Sequence, residues 1–377
     1  MDVIGGFWTS VLAFLLVLTV LVFVHELGHY LVARRNGVRI EVFSIGFGPE
    51  LFGFTDRVGT RWKISALPLG GYVKMFGDAD PASTPGAHLT AMTAEERAVS
   101  FHHKRLGQRA AVVAAGPIAN FIFSIVVLAV LFATAGQSFT PADVGGVQPG
   151  SAAERAGLKA GDLIRSIDGA GIQRFEEIRQ IVSIKPGETL QMVVERDGRT
   201  VALTAVPDSR EIADRFGNTH RVGQLGITRG GADMKVHDPL TAVWQAGREV
   251  AGMITGTFTA LGQMVEGSRG TEELGGPLRI AQMSGEVAQS GWYPLIWFMT
   301  FLSVNLGLIN LFPVPMLDGG HLLFYAIEGA LGRPLGARAQ EYGFRIGLAL
   351  VLTLMVFATW NDIVQLRVVD FFRGLVS

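Results

Sequence analysis

The sequence predicts a polytopic α-helical membrane protein with four transmembrane helices, a membrane-associated β segment and one small α+β domain. Three observations carry this expectation. Apolar residues make up 49% of the 377-residue chain and charged residues only 17%, against about 25% charged in ordinary globular domains. The apolar residues concentrate in four windows that hold no formal charge. Between the second and third windows lies a polar, glycine-rich stretch long enough for one domain. The net charge of -1 offers nothing global to nucleic acid, so no nucleic-acid partner is expected. The chain has no cysteine. Disulfides, thiol nucleophiles, iron–sulfur clusters and cysteine-based zinc sites are therefore excluded, and any bound metal must rest on His, Asp or Glu.

The first span falls within residues 1–36, where Phe7 to Val24 is nearly continuous Leu, Val, Phe and Ala and meets the requirement of roughly 20 apolar residues. It does not read as a secretory signal peptide, because no Lys or Arg precedes Arg34. Residues 37–108 form a loop with two strand-like stretches, Val38 to Phe54 and Trp62 to Met75, bent at glycines. The run from Ile64 to Val73 lacks charge in its apolar part after Lys63, so this β segment should dip into the bilayer or bury itself. The second span occupies 109–136, the third 291–330 and the fourth 340–368. Arg34, Arg35 and Arg39 follow the first charge-free window, Lys104, Arg105 and Arg109 precede the second, and Arg333, Arg338 and Arg345 lie between the third and fourth. The positive-inside rule then puts the N-terminus and residues 138–286 outside and the other loops in the cytoplasm. Val250 to Val265 is uncharged for 16 residues, but it is rich in Gly and Thr. Its apolar residues recur at helical spacing, which favours a surface or bundle-packed amphipathic helix within a connector over 209–290, rather than a fifth span.

The chemistry lies in His25-Glu26-Leu27-Gly28-His29, inside the first span. Residues four apart share a helix face, so both imidazoles can reach one zinc ion while Glu26 projects beside them as a general base. Ionisable groups in an apolar helix are costly unless they pair or coordinate, which argues against a purely structural cluster. A catalytic zinc needs a third protein ligand and an open position. Asp318 is the candidate: it ends the third apolar window, in Asn310-Leu311-Phe312-Pro313-Val314-Pro315-Met316-Leu317-Asp318-Gly319-Gly320, where prolines and glycines must loosen the helix. Counted from the outer face, His25 lies roughly 27 Å down the first span, and Asp318 reaches a similar depth only if the chain crosses four times. Asn120 and Asn310 are isolated amides in apolar spans, suited to interhelical hydrogen bonds, with an oxyanion contact open for Asn310. His321, one turn after Asp318, suits either a supporting contact or plain solvation. His88, His102, His103, His220 and His237 receive no role.

The stretch Gly145 to Ile172, GGVQPGSAAERAGLKAGDLIRSIDGAGI, resembles the PDZ domains attached to bacterial membrane and periplasmic proteases. That resemblance implies a PDZ domain over 137–208, whose groove binds extended chain ends by adding a strand to a sheet edge. Taken together, HELGH, FSIGFGP, PLGGYVKM, AGPIANF, the PDZ module and NLFPVPMLDGGH resemble the site-2 protease family of intramembrane zinc metalloproteases, in its bacterial RseP-type branch. The resemblance implies Zn2+ held by His25, His29 and Asp318, with Glu26 catalytic. It also implies substrate contacts at Asn310, Pro313, Pro315 and the Gly70-Gly71-Tyr72 loop. Its implied substrates are single-span membrane proteins already shortened outside by another protease, such as anti-sigma factors, and remnant signal peptides, in the bacterial inner membrane. Many members of the branch carry two tandem PDZ domains, whereas residues 209–235 are too few for a second. Two other classes compete. A transporter would show inverted repeats, which the sequence lacks. A catalytically silent scaffold presenting the PDZ domain would tolerate loss of Glu26 or His29.

Overall fold

A computed structural model describes residues 2–78, 91–172, 174–183, 185–213, 219–231, 233–267 and 275–365. His88 and the last three residues of the expected fourth span lie outside these. The chain divides into two compact units, one of residues 1–128, 245–261 and 271–377, the other of residues 129–244 and 262–270.

The first unit holds the membrane helices. Helix α1 (Asp2–Arg35) ends on Arg34 and Arg35, whose charges suit the negative end of the helix dipole. Two long strands follow, β1 (Ile40–Thr55) and β2 (Arg61–Met75). The pair does not stay flat. Gly46 and Gly48, at φ +88° and +87°, bend β1, a backbone conformation that a residue with a Cβ resists. As a result residues 40–45 pair with residues 71–75 and also with residues 61–64, while residues 50–55 pair with 61–65. The inner part is anchored: Ile40, Phe43, Val73 and Met75 form a core with Ala33 of α1 and with Phe101, Val112 and Val113. The outer part is not covered, and Leu51, Phe52, Phe54 and Leu67 are each more than half exposed.

A short helix α2 (Ala94–Val99) with a complete capping box leads to α3 (Leu106–Thr134), the second apolar helix, which carries Pro117 inside it. The third span is interrupted as the prolines demand: α8 (Trp292–Asn310) stops, residues 311–317 form an irregular loop, and α9 (Asp318–Leu331) begins at Asp318. Helix α10 (Ala337–Gln365) is the fourth apolar helix. Among the described residues, four helices are long and apolar enough to cross a membrane, over Trp8–Arg35, Leu106–Thr134, Trp292–Asn310 and Arg338–Ile363. Hydroxyls and amides act between them where lipid offers no partner. Ser124 donates to the carbonyl of Thr300 at 3.2 Å and Ser303 to that of Asn120 at 3.0 Å.

Two further helices directly precede α8 in the chain. Helix α6 (Pro239–Val265) is capped by Asp238 with proline at its start, and it is not among the candidate spans, as its composition predicts. Helix α7 (Pro277–Gln289) belongs to the stretch read from sequence as a connector, yet it packs against α1, α8 and α10. Its contact with α1 is close because Gly285 has no side chain: a Cβ there would stand 1.9 Å from the Ser10 hydroxyl.

The second unit is an α+β domain. Strands β3 (Gln137–Phe139), β4 (Val144–Val147), β5 (Leu163–Ile167), β6 (Ala170–Gly171), β7 (Leu190–Arg196) and β8 (Arg199–Ala205) are joined by the single turn α4 (Ala152–Arg155) and by α5 (Phe175–Ser183). A four-stranded antiparallel sheet runs in the order β6-β5-β7-β8. The domain reaches further along the chain than the sequence reading allowed. β9 (Asp208–Ala213) and β10 (Thr219–Gln224) pair with each other, then β11 (Ile227–Arg229) returns to β4 and β12 (Asp233–Lys235) to β3. Leu225 is buried in the core with Ile164, Ile178, Leu190 and Val194. The residues after 208 therefore close the one domain. Strands β11 and β12 are short and pair with partners some 80 to 100 residues earlier, a distance that local periodicity does not reveal.

Candidate metal centre

His25 and His29 stand on successive turns of α1, and Asp318 opens α9 after the proline-rich loop. The structure brings them together. Asp318 Oδ2 lies 3.1 Å from His25 Nε2 and 3.5 Å from His29 Nε2, and the two Nε2 atoms are 3.2 Å apart. Ligands about 2.05 Å from a tetrahedral zinc are separated from one another by about 3.3 Å. The three edges found, 3.1, 3.2 and 3.5 Å, bracket that value, and this triad is the one cluster among the described residues whose atoms could hold a metal ion. Asp318 Oδ2 is buried and makes no hydrogen bond, a costly arrangement for a carboxylate unless a cation completes it.

The supporting contacts come from α3 and β2. His29 Nδ1 meets the carbonyl of Val112 at 2.9 Å, leaving Nε2 free to ligate. Gly116 of α3 faces both imidazoles, and a Cβ there would lie 2.3 Å from His29 Nε2. Gly28 of α1 faces α3 in turn, with a built Cβ 2.3 Å from the carbonyl of Ala115, so two glycines let these helices approach. The Val73 backbone of β2 lies beside the Glu26 carboxylate, and Gly71 leaves room for the Glu26 stem.

These groups line a cavity of about 190 Å³. Glu26, Asn310, Gly71, Tyr72, Met316 and His321 are in its wall beside the triad. Of the expected substrate contacts, Gly70, Pro313 and Pro315 are not in that wall. Gly70, at φ +123°, turns β2 against the Phe47 ring, while Pro315 packs on Gly320 and on Gly347 of α10. Met316 has φ +89°, unusual for a residue with a long side chain, and it opens the turn that presents Asp318. Sequence reasoning missed Gly116, the Val112 carbonyl and the Val73 backbone. A signal existed in α3, where Val112, Gly116 and Asn120 are spaced four apart and so share one face. His102, given no role, is 2.9 Å from the buried Asp78 carboxylate.

In the second unit, α5 and the β10 to β11 turn flank a groove of about 350 Å³. Phe175, Ile178, Val182, Leu225 and Ile227 give it apolar walls, with Arg179 and Arg210 also lining it.

The sequence matches the model of peptidase family M50 over residues 13–354. Among curated proteins, a candidate zinc metalloprotease of Agrobacterium fabrum is 51% identical, over 96% of this chain and 97% of its own length. The metalloprotease MmpA of Caulobacter vibrioides is 40% identical over 99% of this chain and all of its own. The protease RseP of Yersinia pestis is 33% identical over 95% of this chain and 99% of its own. Among solved structures, the PDZ domain of an SdrC-like protein from Listeria monocytogenes aligns with 25% of this chain and 90% of its own, at 22% identity and a TM-score of 0.19.

Proposed function

The chain belongs to peptidase family M50 and is a zinc metalloprotease, and on that premise we propose that it cuts peptide bonds within the membrane-spanning segments of single-span proteins. His25, His29 and Asp318 hold the zinc ion, and Glu26 is the catalytic base. The single observation that carries this reading is the triad: three ligand atoms 3.1 to 3.5 Å apart, on two apolar helices, with Glu26 in the same cavity wall.

Bound zinc supplies Lewis acidity, which lowers the pKa of water to about 7 and polarises a carbonyl. The protein's own groups do the rest. Glu26, in the cavity wall beside Val73, takes a proton from the attacking water and delivers it to the leaving amine. The Asn310 side chain, in the same wall, is available to donate to the carbonyl oxygen as charge develops on it. A helical substrate hides its carbonyls in its own hydrogen bonds, so it must unwind. The β2 segment at Gly71 and Tyr72 offers backbone partners for an extended chain.

The substrates in this reading are membrane proteins already cut outside, of the anti-sigma-factor type, and remnant signal peptides. The site of action is the bacterial inner membrane, with the N-terminus and the PDZ domain outside and the zinc toward the cytoplasm. Arg34, Arg35 and Arg39 at and after the end of α1, and Arg333, Arg338 and Arg345 from the turn after α9 into the start of α10, support this orientation. The groove beside α5 suits an extended chain end carrying a carboxylate, since Arg179 and Arg210 lie along it. In a membrane-reconstituted assay with a tethered single-span substrate, Glu26→Gln should abolish cleavage and leave zinc bound. Undiminished cleavage by that variant would overturn the mechanism.

A further inference from the structure

The zinc-ligand reading leaves one buried group unexplained. A neutral imidazole that ligates through Nε2 carries its proton on Nδ1, and that proton needs an acceptor. For His29 the acceptor is the Val112 carbonyl at 2.9 Å. For His25 the group facing Nδ1 is the side-chain amide of Asn120, at 3.2 Å. Asn120 is fully buried, and its Oδ1 has no hydrogen-bond partner.

With the amide NH2 toward His25, the imidazole proton must sit on Nε2, where a ligand needs a lone pair. Turned by 180°, the amide presents Oδ1 instead, and the carbonyl accepts the Nδ1 proton. That turn leaves the packing unchanged, because the two ends of an amide are nearly the same size. The side chain has little freedom to go elsewhere. A Cβ built on Gly307 of α8 would lie 3.3 Å from the Asn120 Cβ, and the backbone carbonyl of Asn120 accepts from Ser124 at 2.9 Å and from Ser303 at 3.0 Å.

We propose that Asn120 is the positioning residue of His25, accepting its Nδ1 proton and so holding Nε2 on the zinc. The helix α3 then serves the two ligands of α1 in the same way. Val112 orients His29, Asn120 orients His25, and Gly116 between them leaves the space that both rings occupy. The four-residue spacing of 112, 116 and 120 on α3 mirrors that of 25 and 29 on α1, so one helical face supports the other.

The inference rests on the zinc-ligand reading above, and its test separates the two. Zinc dissociation constants are measured on the purified full-length protein in detergent by competition with a chelator. Asn120→Leu removes the acceptor at similar size and should weaken zinc binding about 10- to 100-fold. Asn120→Asp restores an acceptor at the same position and should keep the affinity within a few-fold of the unaltered protein. Ser303→Ala removes a neighbouring bond of the same helix contact without touching His25 and should leave the affinity unchanged. Unaltered affinity in Asn120→Leu, equal weakening in Asn120→Asp, or equal weakening in Ser303→Ala would each overturn the proposal. Unaltered zinc binding in His25→Ala would instead overturn the ligand set itself.

Discussion

Gly116 of α3 stands where only a hydrogen fits against His29: a Cβ built on it would lie 2.3 Å from His29 Nε2 and 2.9 Å from Cε1 of His25. The atoms it would displace are those that face the metal. Gly116→Ala should therefore cost activity out of proportion to stability, because displacing a reacting group by about 1 Å can cost on the order of 100-fold in rate. Peptidase assays together with zinc content test this. Normal activity and full zinc in the variant would show that the rings have room to spare.

The loop before Asp318 is seated on the fourth apolar helix at Gly347, whose built Cβ would lie 1.9 Å from the carbonyl of Pro315. Gly347→Val should push residues 311–317 away and carry Asp318 with them. We expect at least a tenfold loss of cleavage with unchanged helical content by circular dichroism. Valine tolerated there at full activity would mean that the loop does not depend on α10.

Asp362 of α10 is buried and accepts from the amides of Gly276, Leu278 and Arg279 at 2.8 to 3.0 Å. It thereby caps α7 from a distance of more than 80 residues, satisfying donors that the helix itself leaves open. Asp362→Ala should lower stability by about 1–3 kcal/mol, read as a shift in the denaturation midpoint. Asp362→Asn should lose less, since its oxygen still accepts.

In the second unit, burial pushes the Asp162 carboxyl up, but the Arg196 guanidinium at 2.6 and 2.7 Å and the Lys159 amide at 2.8 Å outweigh it and hold the carboxyl below its ordinary range. The folded pKa is thus lower than the unfolded one, near 3.9. The stabilisation is complete above that value and is lost as pH falls from about 4 through the folded value. Asp162→Ala should be destabilised by about 3 kcal/mol at pH 7, and its deficit against the unaltered protein should shrink below pH 4. Urea unfolding of this domain at pH 7, 5 and 3 measures the difference, and a deficit that does not vary with pH would exclude the ionised pair as its source.

Much of the molecule was legible in its sequence, because a few strong physical demands fall on short stretches of chain. Charge-free windows give the four apolar helices, since charged side chains are costly in the hydrocarbon and an unpaired backbone there must close into a helix. The spacing of His25 and His29 puts two imidazoles on one face. The prolines at 313 and 315 require α8 to stop before Asp318, and it does. The tertiary structure decided what depends on distant partners. Asp318 meets the histidines nearly 300 residues away only because α8, its loop and α10 set its depth. Asn120 faces His25, and Gly116 makes room for it, only once α3 lies against α1. The strands after residue 208 become part of the second unit only when β11 finds β4 and β12 finds β3. Each of these is a pairing of surfaces rather than a property of a segment, and a single sequence records segments better than it records which surfaces will meet.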